Sequence, residues 1–536
     1  MEEYKNVDVL FVGAGPASLS GAIRLKQLLK QQGYDATVVV VDKASRPGQH
    51  NLSGAVFETF VLDELIPEWK SMEHRFVKRA LGNQVKTDEV VFLPDGKRKI
   101  VVPHWLVPGS LRHEGDCVIS ISEMVSWLVE IALQRGVEIY HGFTAVELVV
   151  EHGKVKGVRL GDKGVDKDGR PLANYVAGEV VRAKVTVLGE GSAGLLIEQL
   201  EKKIGSRRNV NPQIFSLGVK EIIRLPEKNN FGNNRVVHTM GYPLPSNMFG
   251  GGTLYSMGDN LVAVALIAAL DWQYPDFNPQ QELQRFKRHP FVSSMLQGGQ
   301  VIAYGAKTLP EGGYYSMPDL YYDGALVIGD AAGLTSVRKL KGLHYAVKSG
   351  LVAADTLCDA LIKGDFSRAS LKSYHESLEK SFVIRDIKKA RNYRQVFSIG
   401  GLYGGLVFSF LQEWMPFRMS IREDYQSMKK KLLRRDGTEG IDRLTAVSLS
   451  GTEHREDQPS HITFLEENPD ESCFKEFGCH PCAYFCPGEV YKFENDKLVL
   501  SPSNCLHCQT CRLKCPLQLI KWDFPESGGG PKYKIM

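Results

Sequence analysis

Cysteine is nearly absent from the first 472 of the 536 residues, where only Cys117 and Cys358 occur. The other eight cysteines all lie between Cys473 and Cys515. A disulfide framework would spread cysteines along the chain, so this clustering predicts a metal site in a reducing compartment. The first residues, "MEEYKN", lack the features of a signal or transit peptide, and we expect a cytosol-facing or already mature chain.

An excess of charge of one sign is also missing. The chain has 66 basic and 62 acidic side chains, and the net charge is +4. No global field favours nucleic acid, so we expect no nucleic-acid partner.

Long apolar runs are scarce as well. The stretch 395–412 is uncharged but contains four glycines, whereas a spanning helix needs about 20 predominantly apolar residues. We expect a re-entrant or interfacial segment here, followed by the basic run "KKKLLRR" at 429–435. A buried glycine-rich helix pair beside a solvated charge run is the alternative.

The N-terminal segment has the pattern of a dinucleotide-binding βαβ unit. An apolar strand over 7–13 precedes a helix over 16–31 and a second strand over 36–42. Glycines at the turn allow a tight bend and close approach to a pyrophosphate, and an acid ending the second strand bonds the ribose. The residues in these positions are Gly13, Gly15, Ser18 at the third small position, and Asp42.

A later segment favours FAD over NAD as the dinucleotide. In 324–357 an apolar strand precedes Gly329-Asp330, and a helix starts near Gly342. In FAD proteins of the glutathione-reductase type, such a Gly-Asp pair meets the ribityl and phosphate groups. Only one complete fingerprint is present, so we expect no separate NAD(P)H domain.

The middle of the chain, 211–310, contains strand-like stretches that include the triplet Gly250-Gly251-Gly252. A bend or bulge in a strand is one interpretation of this triplet. The following region, 365–394, is helical and basic in pattern.

The C-terminal region has the spacing of an iron–sulfur site. Cys505, Cys508 and Cys511 form a Cys-x2-Cys-x2-Cys loop, and Cys486 precedes a proline. Zinc is the alternative, because Cys-x2-Cys pairs also bind that ion. Proline after both Cys486 and Cys515 favours the iron–sulfur interpretation.

The motifs "GAGPASLSGAIRLKQL", "GQHNLSGA", "GGTLYSMGDN", "LSGTEHREDQPSHI", "NCLHCQTC" and "PESGGGPKYKIM" together resemble the electron transfer flavoprotein–ubiquinone oxidoreductase family. The resemblance implies an α/β and α+β fold: a glutathione-reductase-like FAD-binding fold, an inserted quinone and membrane domain, and a C-terminal ferredoxin-like domain. We expect FAD binding over 1–215 and 311–360, quinone binding over 216–310, a helical membrane-associated segment over 361–445, and the iron–sulfur domain over 446–536.

The same resemblance implies an electron-transferring-flavoprotein dehydrogenase. Such an enzyme accepts electrons from reduced electron transfer flavoprotein and reduces ubiquinone or menaquinone through FAD and one [4Fe–4S] cluster. Gly250 and Gly251 match the glycines that bond a quinone carbonyl. The implied cluster ligands are Cys486, Cys505, Cys508 and Cys511.

The resemblance also implies monotopic attachment to one leaflet. The membrane would be the cytoplasmic face of a prokaryotic inner membrane, or the mitochondrial inner membrane in a eukaryote. Two other functions remain open: a flavin-dependent prenyl reductase, and the quinone-linked subunit of an electron-bifurcating complex.

Four cysteines have no role in the single-cluster family pattern: Cys473, Cys479, Cys482 and Cys515. Two-cluster ferredoxins repeat Cys-x2-Cys-x2-Cys-x3-Cys-Pro, and the fourth cysteine of each run ligates the other run's cluster. Here the second run is complete, but Glu476 occupies the first position of the first run, three residues after Cys473. A candidate second cluster and a set of free thiols are the two interpretations.

Overall fold

The computed structural model describes residues 4–52, 56–205, 210–437, 439–495 and 497–536. The α-helices are α1 (Pro16–Gln31), α2 (Phe60–Leu65), α3 (Arg75–Gly82), α4 (Ile121–Gln134), α5 (Leu195–Ile204), α6 (Pro279–Lys287), α7 (Pro290–Met295), α8 (Leu343–Lys363), α9 (Arg368–Lys380), α10 (Phe382–Lys389), α11 (Tyr393–Ser409), α12 (Arg443–Ser450), α13 (Pro469–Phe477), α14 (Pro481–Phe485) and α15 (Thr510–Lys514).

The strands are β1 (Tyr4–Val12), β2 (Val38–Asp42), β3 (Val56–Phe57), β4 (Thr87–Leu93), β5 (Ile100–Val101), β6 (Cys117–Val118), β7 (Glu138–His141), β8 (Ala145–Glu151), β9 (Lys154–Leu160), β10 (Lys163–Val165), β11 (Pro171–Val176), β12 (Val180–Leu188), β13 (Phe215–Arg224), β14 (Arg235–Gly241), β15 (Gly250–Ser256), β16 (Leu261–Ala269), β17 (Gln300–Pro310), β18 (Tyr321–Tyr322), β19 (Ala325–Val327), β20 (Ile462–Phe464), β21 (Tyr491–Glu494), β22 (Lys497–Leu500) and β23 (Ile520–Trp522).

The first sheet is built around β1, in the order β18-β19-β12-β1-β2-β7. Strands β12, β1, β2 and β7 pair in parallel, and β19 pairs with β12 in the same way. Parallel strands are covered on both faces, which explains the continuous apolar run of β1, where Val9, Leu10 and Phe11 are fully buried. Helices α1 and α8 pack together against this sheet.

The second sheet has the order β17-β13-β16-β15-β14-β4-β5. Its pairs are antiparallel except that β14 runs parallel to β4, with Arg235 opposite Thr87. Strands β4 and β5 of the range 1–215 thus pair within the second sheet, and the assignment of 1–215 to FAD binding stays a prediction. Pairing over about 150 residues of separation depends on tertiary packing, which the local pattern of β4 does not encode.

Helices α9 and α10 belong to the range 361–445, which the sequence predicts to be helical and membrane-associated. Their apolar faces, including Leu371, Tyr374 and Ile387, are buried in the same core as β1 and α8. Membrane association of this range stays a prediction.

The iron–sulfur region shares a core with the second sheet. Phe485, Tyr491 and the cluster cysteines are buried with apolar residues of β13 and β16. The C-terminal tail crosses to the first part of the chain, where the Met536 carbonyl accepts a hydrogen bond from Ser120 Oγ at 3.1 Å. These contacts make the C-terminal region part of the body of the molecule.

Candidate functional site

One cavity of about 450 Å³ lies between the two sheets. All the residues predicted to bind FAD or quinone line this cavity, except Ser18: Gly13, Gly15, Asp42, Gly250, Gly251, Gly329, Asp330 and Gly342. Ser18 is fully buried beneath it, in α1. Segments that are distant in the sequence therefore meet around a single space.

The turn between β1 and α1 has the geometry that its glycines predict. Gly13 has φ +92°, and a Cβ there would stand 2.5 Å from the Gly189 carbonyl oxygen. Gly15 is the residue before α1, and Pro16 is pre-organised for its first turn. A Cβ at Gly15 would come no closer than 3.9 Å to Asn51. The fold therefore requires glycine at position 13. At position 15 the open space next to the glycine belongs to the cavity.

Asp42 is held by backbone amides at the edge of the cavity. Its Oδ2 accepts a hydrogen bond from Ala14 N at 2.7 Å, and its Oδ1 accepts one from Ala44 N at 2.8 Å. Burial raises the pKa of Asp42, and the two amides oppose that shift. The carboxylate thus ties the end of β2 to the glycine turn. Its contact with a ribose stays a prediction.

The return segment closes the opposite wall of the cavity. Gly329 N donates to Ser349 Oγ at 3.0 Å, which fixes the short 3-10 turn Gly329–Ala332 against α8. Burial raises the pKa of Asp330, and Thr335 opposes that shift. Gly342 precedes the first residue of α8 and lines the cavity. The free backbone N–H groups at the N-terminus of α8 therefore face the cavity.

The glycine triplet lies in a regular strand. The register with β16 is unbroken here: Gly250 pairs with Ala268, Gly251 with Ile267 and Gly252 with Leu266. The bulge interpretation is therefore wrong.

The triplet has a packing reason for its small residues. A Cβ at Gly250 would lie 2.1 Å from the Ile267 carbonyl oxygen, and one at Gly251 would lie 2.1 Å from the Thr239 carbonyl oxygen. The pairing with β14 ends at Thr239 and Gly252, which leaves Gly250 and Gly251 beyond that ladder, at the cavity wall.

Among the charged side chains that line the cavity, the half-buried Glu190, Lys307 and Lys43 were not predicted from the sequence. Burial raises the pKa of Glu190 to about 7, although its carboxylate accepts hydrogen bonds from Leu196 N and Ile197 N. Burial lowers the pKa of Lys307 to about 8, and it lowers the pKa of Lys43 as well. The only sequence feature that could have identified Lys43 is its position directly after Asp42. No motif marks Glu190 or Lys307 as cavity residues.

Each of the ten cysteines is a buried, free thiol. Burial, and then the neighbouring Cys508, raises the pKa of Cys486 to about 11. Burial also raises the pKa of Cys505 and of Cys511, and both feel the charge of Cys508 and of Cys486. The four predicted cluster ligands therefore form one set. Four buried thiols with no disulfide fit an iron–sulfur core, which binds thiolates.

The fold places three imidazoles beside the cluster loop. The ring nitrogens of His454, His461 and His507 lie within 4.8 Å of one another. His454 Nδ1 donates to the Ser503 carbonyl at 2.8 Å, so in neutral His454 the Nε2 accepts from His507 Nε2 at 2.9 Å. His454 and His461 belong to "LSGTEHREDQPSHI", so the motif positions them between the cluster loop and the C-terminal tail.

Strand β17 connects the cavity to the cluster loops. Lys307 and Thr308 line the cavity. From the same strand, Thr308 Oγ1 donates to the Cys508 carbonyl at 2.9 Å, and Tyr304 Oη donates to the Pro487 carbonyl at 3.1 Å. A single strand therefore separates the cavity from the predicted cluster ligands.

An exposed apolar surface lies at the cavity's other end. Helix α11 bends at Gly401, which has φ +58° and ψ −159°. Its inner residues, including Phe397 and Leu406, line the cavity. Strand β5 with the loop after it, and the outer side of α11 with the segment after it, expose large apolar side chains: Ile100, Val101, Trp105, Leu106, Ile399, Tyr403, Val407, Phe408, Phe410, Leu411, Trp414 and Phe417.

The two parts of this apolar face are adjacent. The rings of Phe92 on β4 and Tyr403 on α11 are 6.3 Å apart, and β4 pairs with β5. Among the helices of the described residues, none has both the length and the apolar composition to cross a bilayer.

The cavity between two sheets, with its glycine turn and acid-ended strand, fits a dinucleotide, and the buried thiols fit a cluster. Fold and site together define an FAD-dependent oxidoreductase with an iron–sulfur domain. Residues 215–309 match the family model described as ETF-QO, ubiquinone-binding. Residues 437–534 match the model for the 4Fe-4S domain of electron transfer flavoprotein-ubiquinone oxidoreductase.

The chain is 38% identical to a probable mitochondrial electron transfer flavoprotein-ubiquinone oxidoreductase of Schizosaccharomyces pombe, over 99% of this chain and 86% of that protein. It is 37% identical to the human mitochondrial enzyme of this name, over 100% of this chain and 90% of the human one. The chain therefore belongs to the electron transfer flavoprotein–ubiquinone oxidoreductase family. Membership of the family confirms the predicted function and enzyme class. It also confirms the predicted cofactors, which are FAD and a 4Fe–4S cluster.

Solved structures with the same fold are more distant. A geranylgeranyl bacteriochlorophyll reductase-like protein from Thermoplasma acidophilum is 17% identical with a TM-score of 0.58, over 76% of this chain and 91% of that one. The flavin-dependent brominase Bmp2 is 15% identical with a TM-score of 0.52, over 75% and 90% of the two chains. These likenesses show the fold alone, so the first of them gives the prenyl reductase alternative no functional support.

Proposed function

We propose that the central cavity binds FAD and quinone at opposite ends and that a membrane leaflet supplies the quinone. In this proposal reduced electron transfer flavoprotein is the donor. The observation that carries the proposal is the cavity itself, because it joins the βαβ turn, the glycine strand β15 and the inner side of α11.

At the flavin end, Gly13 and Gly15 allow a pyrophosphate to approach the start of α1, and Asp42 orients the adenosine ribose. Gly329, Asp330 and Gly342 bind the ribityl and phosphate groups from the other side. No residue that would attach a flavin covalently is indicated, so we expect acid precipitation to release the flavin from the chain. FAD can exchange one or two electrons, and it therefore suits a site between a one-electron cluster and a two-electron quinone.

At the quinone end, the backbone of Gly250 and Gly251 bonds a quinone carbonyl. Both residues lie beyond the β14 ladder, so their peptide groups are available at the cavity wall. Aromatic and aliphatic residues of α11 surround the same space, which favours an apolar ligand with few polar groups.

At the cluster, Cys486, Cys505, Cys508 and Cys511 are the iron ligands. Strand β17 lies between these thiols and the cavity, and its hydrogen bonds to the Cys508 and Pro487 carbonyls fix that separation. The protein thus controls the distance and the orientation between the two redox groups.

The apolar face of α11 and the β5 loop rests in one leaflet. Trp105 and Trp414, which are 76% and 74% exposed, are amphipathic side chains of the kind that favours the headgroup region. The basic run 429–435 adds attraction to anionic lipids, at about 1 kcal/mol for each well-placed Lys or Arg. We propose the cytoplasmic face of a prokaryotic inner membrane, or the mitochondrial inner membrane, as the site of attachment; the mitochondrial relatives support the second.

The catalytic test reduces the purified protein with reduced electron transfer flavoprotein and follows ubiquinone and menaquinone analogues. Turnover of either analogue by the isolated protein supports the proposal. Absence of turnover with a fully loaded protein would instead favour a subunit that works only within a larger bifurcating complex.

The membrane test measures flotation with anionic lipid vesicles. The double variant Trp105→Glu/Trp414→Glu should lose most of its vesicle binding and keep its FAD. Ile362→Glu is the matched control, since Ile362 is 50% exposed on α8, in the flavin part of the molecule. Equal vesicle binding by the two variants would place the contact elsewhere.

A further inference from the structure

Four thiols outside the predicted cluster set lie together in the iron–sulfur region. Cys473 lies in α13, Cys482 in α14, Cys479 in the loop between them, and Cys515 follows α15. All four are buried, with exposed fractions between 4% and 9%. Three short helices therefore bring every remaining cysteine of this region into the interior.

These thiols form a second set that borders on the first. Cys473 interacts electrostatically with Cys515 and Cys479, and Cys482 interacts with Cys473 and Cys515. Cys482 also interacts with Cys486 and Cys511 of the first set. The two sets are therefore neighbours, and each contains four members.

The helix α13 explains the defect in the sequence motif. Glu476 occupies the expected ligand position, but its side chain is 45% exposed and pairs with Lys430 Nζ at 3.1 Å. Cys473 lies three residues earlier, one helical turn away, and is buried beside Cys515. The ligand that the motif lacks is thus replaced by a cysteine one turn earlier.

The backbone around Cys515 is arranged for a thiolate. The N–H of Leu519 donates to Cys515 Sγ at 3.3 Å, and the N–H of Gln518 fixes the same turn by donating to the Cys515 carbonyl at 3.0 Å. The first set has the same feature, since the N–H of His507 lies 3.4 Å from Cys505 Sγ. Hydrogen bonds to the sulfurs are a regular element of iron–sulfur sites.

The spacing of the sulfurs argues against a single metal ion. Around tetrahedral zinc, bonds of about 2.3 Å bring the sulfurs within about 4 Å of one another. Among the described cysteines, no three sulfurs lie within 4.8 Å of one another. The sulfurs of the first set, in the domain that matches a 4Fe–4S family model, are spaced in the same way. In both sets the sulfurs lie farther apart than the four ligands of one metal ion do.

We propose that Cys473, Cys479, Cys482 and Cys515 bind a second [4Fe–4S] cluster beside the first. The crossover of the two-cluster ferredoxin pattern is preserved, because Cys486 of the first run joins the second run's thiols and Cys515 joins the first run's. The proposal does not depend on quinone reduction, so either one can fail alone.

The first experiment measures iron, zinc and FAD in the anaerobically purified full chain. About eight irons per FAD are expected, and about seven would also support a second core, held by three thiolates. About four irons per FAD, with or without one zinc, would overturn the proposal.

The second experiment uses variants. Cys515→Ser and Cys479→Ser should each lower the iron content by about four while the FAD content and the EPR signal of the remaining cluster persist. Cys358→Ser is the matched control, since Cys358 is equally buried but lies in α8, and it should keep all the iron. Unchanged iron in both ligand variants would refute the assignment.

A third measurement covers the case in which the variants do not fold. Mössbauer spectra of the 57Fe-labelled wild-type protein count cluster irons directly. Reduced protein should also show EPR features of two interacting spins. A spectrum of one isolated [4Fe–4S] cluster would overturn the proposal without any variant.

Discussion

The two ends of the cavity are constructed differently. At the flavin end, Gly13 and Asp42 come from one continuous βαβ unit and are joined by the hydrogen bond from Ala14 N to Asp42. At the quinone end, Gly251 packs closely against the Thr239 carbonyl of a neighbouring strand. The same end of the cavity is lined by helix α11, about 150 residues further along the chain.

The charged side chains at the two ends differ as well. At the flavin end, desolvation raises the pKa of the half-buried Glu190 to about 7. On the second sheet, burial lowers the pKa of Lys220 to about 7. We expect a locally encoded site to tolerate change in distant segments, whereas a site assembled from several segments should be sensitive to each of them.

The largest expected effect is at Gly13. Gly13→Ala places a Cβ 2.5 Å from the Gly189 carbonyl at φ +92°, so we expect a purified protein without FAD. Gly15→Ala meets no protein atom closer than 3.9 Å and should keep its thermal stability. Absorbance spectra and melting curves check both variants. If Gly13→Ala retained stoichiometric FAD, the turn would not be rigid.

Gly251→Ala tests the quinone end. Its Cβ would stand 2.1 Å from the Thr239 carbonyl, so β14 and β15 must shift at the cavity wall. We expect quinone reduction to fall roughly 10- to 100-fold, as a displacement of about 1 Å does at other sites. The FAD content should stay normal. Loss of FAD in this variant would mean that the two ends are not independent. Gly404→Ala, which meets no atom within 4 Å, is the control.

Glu190→Gln tests the half-buried charge at the flavin end. An acid whose folded pKa is raised from 4.5 to about 7 stabilises the fold fully below pH 4.5. That contribution is lost as the pH rises from 4.5 to 7, because in this window the unfolded chain releases its proton while the folded protein still holds it. The wild-type free energy of unfolding should fall by on the order of 1–3 kcal/mol across this window. The fall should be smaller in Glu190→Gln, as measured by denaturant titration; parallel pH profiles would contradict the assignment.

The smallest effect is expected at Asp42. An amide in Asp42→Asn can accept from only one of the two backbone N–H groups, so the turn loses one hydrogen bond, worth about 1 kcal/mol. Titration of the apoprotein with FAD should show an affinity several-fold weaker. A loss as large as that of Gly13→Ala would show that the carboxylate contributes far more than one bond.

Much of the flavin end could be predicted from the sequence, because strand, turn and helix signals there are contiguous. The bounds of α1 and the turn at Gly13 follow from local sterics and the apolar pattern. Strands β4 and β5 could not be assigned to the second sheet, since a short strand carries no record of its partner. The burial of α9 and α10 in the core could not be predicted either, because the pattern of a basic amphipathic helix does not show whether its apolar side packs against protein or lipid.

Sequence alone determined the family, the cofactor classes and the two cysteine runs, because glycine turns and thiolate spacing are dictated by covalent geometry and ligand chemistry. The tertiary structure decided which residues meet. It brought Glu190, Lys43 and Lys307 to the wall of the cavity, placed β17 between cavity and cluster, and turned Cys473 inward while Glu476 stayed in solvent. The physical reason is that burial and long-range pairing depend on the packing of the whole chain, which no local window contains.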